Sequence, residues 1–207
     1  EQIIILTPFF NDSESLNTLL INLDIAFKEL PGTRFSMLVI DDGSSENITI
    51  KSGNRIPVQI LHLQRNIGHQ KAIAVGLAYI KEKSTCDKVM VIDSDGEDRP
   101  EDAVSLIKEA GNNPGKIIFA RRKSRQESTR FRLFYRLYKF AFRILTGKKI
   151  AFGNFMVLPK PLLDKAVYYS EIWNHIAGGI LKAGLPYASI ETHRGKRYAG
   201  ESKMNFN

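Results

Sequence analysis

The chain has one cysteine, Cys86, among 207 residues, so no internal disulfide can staple it, and a reducing compartment fits. No stretch of about 18 apolar residues occurs, which excludes a membrane-spanning helix within these residues. Two glycine signatures are missing as well. No Gly-x-Gly-x-x-Gly follows the first strand-like run, and no Gly-x-x-x-x-Gly-Lys-Ser/Thr occurs anywhere, so neither a dinucleotide fingerprint nor a P-loop is available to cradle phosphate with backbone. There is no internal repeat and no low-complexity segment. No signal peptide is visible, because Glu1-Gln2 leads straight into Ile3-Ile4-Ile5-Leu6. The missing initial Met points to missing flanks.

What is present is a 43% hydrophobic composition, enough to bury one sizeable core. The net charge of +8 is local in origin. Twelve Lys/Arg lie between Lys116 and Lys149 against one acid, Glu127, and the remainder is slightly acidic.

Apolar runs and helical periodicities alternate along the first 120 residues. Strands are expected at 3–6, 37–40, 58–63, 89–92 and 116–120. Helices are expected from Asp12 or Ser13 to about 30, over 69–83 and over 100–110, with Pro100 in the first turn of the last. This βαβ order predicts an α/β fold with a doubly wound, mostly parallel sheet flanked by helices. Beyond Arg121 the spacing predicts a long helix over 128–146, a strand over 155–158, helical stretches near 161–170 and 173–183, and a strand over 188–191 leading into a loop.

Polar clusters follow three of the strands: Thr7–Asp12, Asp41-Asp42-Gly43-Ser44 and Asp93–Asp98. In an open α/β sheet the carboxyl ends of the strands share one edge, where ligands bind. Asp93 and Asp95 share a parity, so extended backbone aims both at one place. Two such carboxylates repel each other unless a cation lies between them, and hard oxygen donors suit Mg²⁺ or Mn²⁺. A diphosphate here must be held by the metal and by side-chain cations, for which Arg122, Arg197 and Lys203 are candidates. Asp12 and Ser44 alone would serve equally well as helix-cap or turn residues.

Five segments run in the order of a known pattern. Thr7-Pro-Phe-Phe-Asn-Asp12 resembles the P-x-Y-N-E start of family 2 glycosyltransferases. Val39-Ile-Asp-Asp-Gly-Ser44 resembles their V-D-D-G-S loop, and Arg65-Asn-Ile-Gly-His-Gln-Lys-Ala72 their R-N-F-G-x-x-x-A segment. Asp93-Ser-Asp-Gly-Glu-Asp-Arg-Pro-Glu101 resembles D-A-D-L-Q-D-P-P-E, and Arg197-Tyr-Ala-Gly-Glu-Ser-Lys203 resembles R-x-x-G-x-S-K. The most similar subgroup is that of polyprenyl-phosphate sugar transferases, such as dolichyl-phosphate mannose synthases and bactoprenol glucosyltransferases.

The resemblance implies one GT-A domain over 1–207, with a nucleotide-binding half (1–120) and an acceptor- and membrane-facing half (121–207). It implies a nucleotide-diphosphate sugar donor, Mg²⁺ or Mn²⁺, and inversion at the anomeric carbon. By position, Pro8 and Asp12 would line the nucleoside pocket, and Asp41 with Asp42 would contact base or ribose. Lys71 and Ser202 would join the donor site. Asp93, Asp95 and Glu97 would hold the metal, while Asp95, Arg122, Arg197 and Lys203 would serve the reaction. The implied acceptor is a polyprenyl phosphate; a saccharide hydroxyl, or a binding module without catalysis, are the alternatives. A hydroxyl acceptor needs a base, and Asp95, Asp98 and His175 are candidates. Two departures stand out: Gly153-Asn154-Phe155-Met156 replaces the subgroup's Gly-Asp-Phe-Arg, and Glu97 replaces Gln.

Within 128–146, Phe131, Phe134, Tyr135, Tyr138, Phe142 and Leu145 form a helical apolar stripe beside Arg132, Arg136, Lys139 and Arg143. That combination suits an anionic membrane surface; a core helix with one solvated face is the plainer reading. The cations are interleaved with aromatics and no nucleic-acid motif occurs, so no nucleic-acid partner is expected. The resemblance places the protein at the cytoplasmic face of a membrane, with transmembrane helices in some relatives beginning beyond the equivalent of residue 207. A homo-oligomer is compatible with the sequence.

Overall fold

The computed structural model describes residues 1–51, 55–122 and 152–199. Seven strands build one sheet: β1 (Gln2–Phe9), β2 (Arg34–Asp41), β3 (Val58–His62), β4 (Lys88–Val91), β5 (Ile117–Arg122), β6 (Met156–Pro159) and β7 (Tyr187–Thr192). The helices are α1 (Ser13–Ala26), α2 (His69–Lys83), α3 (Pro100–Asn112), α4 (Lys160–Ala166) and α5 (Ile176–Lys182), with 3-10 turns at Phe27–Glu29 and Ser170–Trp173. The strand order is β3-β2-β1-β4-β6-β5-β7. Neighbours are parallel except at β6, which runs antiparallel to both β4 and β5. The expected mostly parallel α/β sheet is the one observed, with β6 inserted between β4 and β5.

The apolar runs of the central strands are continuous because both sheet faces are covered. Ile4, Leu6, Leu38, Ile40, Val89 and Val91 face a core closed by α2, α4 and α5. Ile3, Ile5, Met37, Val39, Met90 and Ile92 face the opposite core, closed by α1 and α3. Asp12 starts α1 by accepting from the Ser15 N–H at 3.2 Å. Its buried stripe Leu16, Leu19, Leu20 and Leu23 then has the spacing of one helical face. In α2, Gly76 lets the helix lie on the sheet: a Cβ there would sit 2.3 Å from Leu6 Cδ1.

The topology decides what meets at the functional edge. β1, β2, β4, β5 and β7 all end there. β6 runs the other way, so it begins there, and the turn before it delivers Asn154 to the same place. Thr192 ends β7, and His193–Tyr198 continue across the edge. The expected helix over 128–146 lies outside the described residues. The expected helical stretch over 173–183 contains α5, which starts three residues late: a 3-10 turn ends at Trp173, and His175 caps α5 by accepting from the Gly178 N–H through Nδ1 at 3.0 Å.

Candidate active site

The loops after β1 and β2 are laced together. Asn11, with φ 48°, accepts from the Ser45 N–H at 2.9 Å and the Glu46 N–H at 3.2 Å, and its own N–H donates to Ser44 Oγ at 3.0 Å. Gly43, at φ 72°, has backbone of Arg65 and Asn66 only 2.5 Å from where a Cβ would stand. This close approach is available to glycine alone.

Asp41 is buried; its carboxylate accepts from the Ser44 N–H at 3.0 Å and lies 2.8 Å from His62 Nδ1. Burial works against its charge, but the bonds from Ser44 and His62 outweigh it and hold the carboxyl below its ordinary value. A depressed folded-state pKa contributes stability above the unfolded value and loses it as pH falls. Wild type is therefore expected to exceed Asp41→Asn in thermal stability at neutral pH, with the advantage shrinking below about pH 4. Melting curves from pH 7 to pH 3 check this, and a pH-independent difference would refute it. Asp42 is also buried, and both its oxygens are engaged, by the Ile67 N–H at 2.7 Å and the Gly68 N–H at 2.9 Å. Its structural part is to seat the start of α2, whose first residue is His69.

The loop after β4 carries the acids. The Asp93 N–H donates to Asp98 Oδ2 at 3.3 Å. Asp93 Oδ1 is buried, makes no hydrogen bond among the described residues, and lies 3.3 Å from His69 Nε2. Asp95 accepts from the Glu97 N–H at 2.9 Å and from Arg197 Nη2 at 2.6 Å. Burial, together with the Asp93 and Glu97 charges, raises the Asp95 carboxyl above its ordinary range against the Glu97 N–H and Arg197. Asp98 is buried beside Arg122, whose Nη2 donates at 2.9 Å. Burial and the Asp93 charge nonetheless push Asp98 up to about 7.

Glu97 meets three arginines: Arg122 at 3.2 Å, Arg197 at 3.3 Å, and Arg194. Burial opposes its charge, but Arg194, Arg122 and Arg197 outweigh burial and keep its carboxyl below the usual range. The strap after β7 follows the acidic loop at backbone distance, with Gly195 N–H donating to Glu97 O at 2.8 Å and Tyr198 N–H to Asp95 O at 2.9 Å. A Cβ at Gly195 would fall 2.1 Å from Gly96 O.

The structure thus brings Asp93, Asp95, Glu97, Arg122 and Arg197 together, but not as one metal shell. Among the described residues no three His, Cys, Asp or Glu side chains are arranged to hold an ion. Of the expected Asp93–Asp95–Glu97 set, Glu97 is paired here with the three guanidinium groups. The pair Asp93 and Asp95 still fits a hard divalent cation, because two carboxylates repel and a buried oxygen of one lacks any donor. Pro8 lies buried in β1, Asp12 caps α1, and Lys71 is exposed on the first turn of α2 with no ion pair among the described residues. Ser202 and Lys203 lie outside the described residues.

Sequence reading did not single out His69, Gln70 or Arg194, nor assign Asn154 a contact. Gln70 Nε2 donates to Asn154 Oδ1 at 3.0 Å, Gln70 Oε1 accepts from the Ile176 N–H at 3.1 Å, and Asn154 Nδ2 lies 2.9 Å from His69 Nε2. The only sequence signals were the place of His69 in the Arg65–Ala72 segment and the departure at Asn154.

The model for "Glycosyl transferase family 2" matches residues 4–163. Two Bacillus subtilis (strain 168) proteins are each 28% identical: the uncharacterized glycosyltransferase YkoT over 96% of this chain and 61% of its own length, and the uncharacterized glycosyltransferase YkcC over 82% and 53%. The chain therefore spans little more than half the length of these relatives. Among solved structures, mannosyl-3-phosphoglycerate synthase from Rubrobacter xylanophilus superposes with a TM-score of 0.62 at 15% identity, over 94% of this chain and 67% of that one. Glucosyl-3-phosphoglycerate synthase from Mycobacterium tuberculosis, solved with Mn²⁺, UDP-glucose and phosphoglyceric acid, gives 0.58 at 14% identity, over 97% and 73%. S. aureus TarS 1-349 in complex with UDP-GlcNAc gives 0.60 at 18% identity, over 97% and 60%. These likenesses show the GT-A fold.

Proposed function

The chain belongs to glycosyl transferase family 2, and from that premise we propose that it moves a sugar from a nucleotide-diphosphate sugar to a polyprenyl phosphate at a membrane surface, with Mg²⁺ or Mn²⁺ and with inversion. The observation that carries this reading is the buried, donorless Asp93 Oδ1 beside Asp95, at a strand edge ringed by arginines. Asp93 and Asp95 would hold the cation, which supplies Lewis-acid stabilisation of the leaving diphosphate. Glu97 belongs to the arginine cluster instead.

Arg122, Arg194 and Arg197 stand ready as fixed cations. They exchange carboxylate partners for phosphoryl oxygens when the donor enters, and so stabilise charge where it develops. Pro8, Asp12 and Asp41 line the nucleoside side, and Lys71 with Ser202 and Lys203 complete the donor grip. Asp42 acts by holding the loop from which His69 projects. The engagement of the candidate bases supports the lipid-phosphate acceptor. Asp98 is buried against Arg122, Asp95 is paired with Arg197, and His175 spends Nδ1 on its helix cap. An acceptor phosphate is already ionised at neutral pH and needs none of them.

A screen of UDP-, GDP- and dTDP-sugars by isothermal titration, with and without Mn²⁺, tests the reading. One nucleotide class is expected to bind only with the cation, and Asp93→Ala is expected to lose that binding. Failure of every nucleotide sugar to bind with Mn²⁺ or Mg²⁺ would refute it.

A further inference from the structure

Three amides in sequence connect α5 to the acidic loop, and their polarity follows from one end. The Ile176 backbone N–H can only donate, so it fixes Gln70 with Oε1 toward α5 and Nε2 toward Asn154. Gln70 Nε2 then donates to Asn154 Oδ1, which turns Asn154 Nδ2 toward His69 Nε2 at 2.9 Å. An amide NH₂ can only donate, so Nε2 must accept and the imidazole hydrogen must reside on Nδ1. The same logic accounts for the lone oxygen: with its Nε2 lone pair turned to Asn154, His69 has no hydrogen to give Asp93 Oδ1, 3.3 Å away.

We propose that Gln70 is a positioning residue of this site, which acts through Asn154 to hold His69 as the neutral Nδ1–H tautomer and thereby keeps Asp93 Oδ1 free of any protein donor. Two consequences follow. Asp93 keeps an oxygen with full acceptor capacity for a cation. His69 Nδ1–H, which has no partner among the described residues, is the donor left for a hydroxyl or phosphoryl oxygen of a bound ligand; this second consequence alone rests on the transferase reading. The relay also gives Asn154 a function that a carboxylate at that position would reverse. Burial disfavours a charged His69, while Asp93, the acceptor to which an Nε2–H would donate, and the charges of Asp93, Asp95 and Asp42 favour it and raise its pKa. The relay opposes that charge, since an Nε2–H would confront Asn154 Nδ2–H.

The test reads the tautomer directly in the free, metal-free protein, so it is independent of whether any sugar is transferred. Histidine-selective ¹⁵N labelling reports on four imidazoles, and His69→Gln identifies the His69 signals by their loss. At about pH 8.5, above the imidazole range, wild type is expected to show a protonated Nδ1 and an unprotonated Nε2 at His69. Gln70→Glu accepts from both Ile176 and Asn154, which turns the Asn154 amide around. Asn154→Asp accepts from both Gln70 and the imidazole. Each is isosteric and is expected to move the hydrogen to Nε2. A wild-type His69 that is charged, Nε2-protonated or a mixture at that pH would overturn the proposal, as would Nδ1–H persisting in either variant.

Discussion

Asp93→Ala is expected to lower sugar transfer by roughly 10²- to 10³-fold, the range found when one preorganised electrostatic group at a reacting centre is removed, while leaving the fold intact. The two halves of that expectation have separate causes. Asp93 Oδ1 accepts no hydrogen bond among the described residues, so truncating it leaves no protein donor stranded. Its charge raises the pKa of both Asp95 and Asp98, so its removal relieves repulsion within the cluster. The melting temperature is therefore expected to hold or rise while kcat/KM collapses. Steady-state kinetics with the nucleotide sugar found by titration, paired with a thermal melt, separates the effects. Transfer within threefold of wild type would show that Asp93 does not serve the reaction, and a large drop in melting temperature would show that it serves the fold.

Phe119→Ala is expected to cost about 3–5 kcal/mol, the range for deleting a large buried aromatic side chain. In a domain of this size that corresponds to a fall in melting temperature of roughly 10 °C. Phe119 is fully buried in β5, stacks on Phe152 at 5.0 Å and meets Tyr187 of β7 edge-on at 6.1 Å. It thereby ties the strand that ends in Arg122 to the strand that leads into the arginine-bearing strap. Transfer should fall with stability, because both arginine sources depend on this packing. Phe119→Leu should recover most of the loss. A change below about 1 kcal/mol for Phe119→Ala would mean that the β5–β7 junction is held by its backbone ladder alone.

The strands of the first half were legible because they are buried on both faces and read as unbroken apolar runs: Ile3–Leu6, Met37–Ile40 and Val89–Ile92 all fall in or against the observed strands. Asp12 was legible as a cap because its side chain bonds three residues away. The 3-10 turn that delays the start of α5 was not. That turn packs on Gly179 of α5, where a Cβ would stand 2.7 Å from Ile172 N. Apolar periodicity carries no mark of a chain folding back on itself.

By itself the sequence determined the mostly parallel α/β class, the acidic edge after β4 and the polar loops after β1 and β2, because each is encoded by residues a few positions apart. Only the tertiary structure decided the partners. β6 enters the sheet reversed, which carries Asn154 to the edge where the parallel strands end. The strap after β7 lays Arg194 and Arg197 on Glu97, and Gln70 reaches Asn154 and Ile176, 84 and 106 residues further along the chain. Glu97 illustrates the difference: its place in the motif grouped it with the metal-site acids, whereas three guanidinium groups from distant segments claim both of its oxygens. Spacing along the chain can gather like charges, but their counter-charges come from separate elements whose approach depends on sheet order and packing.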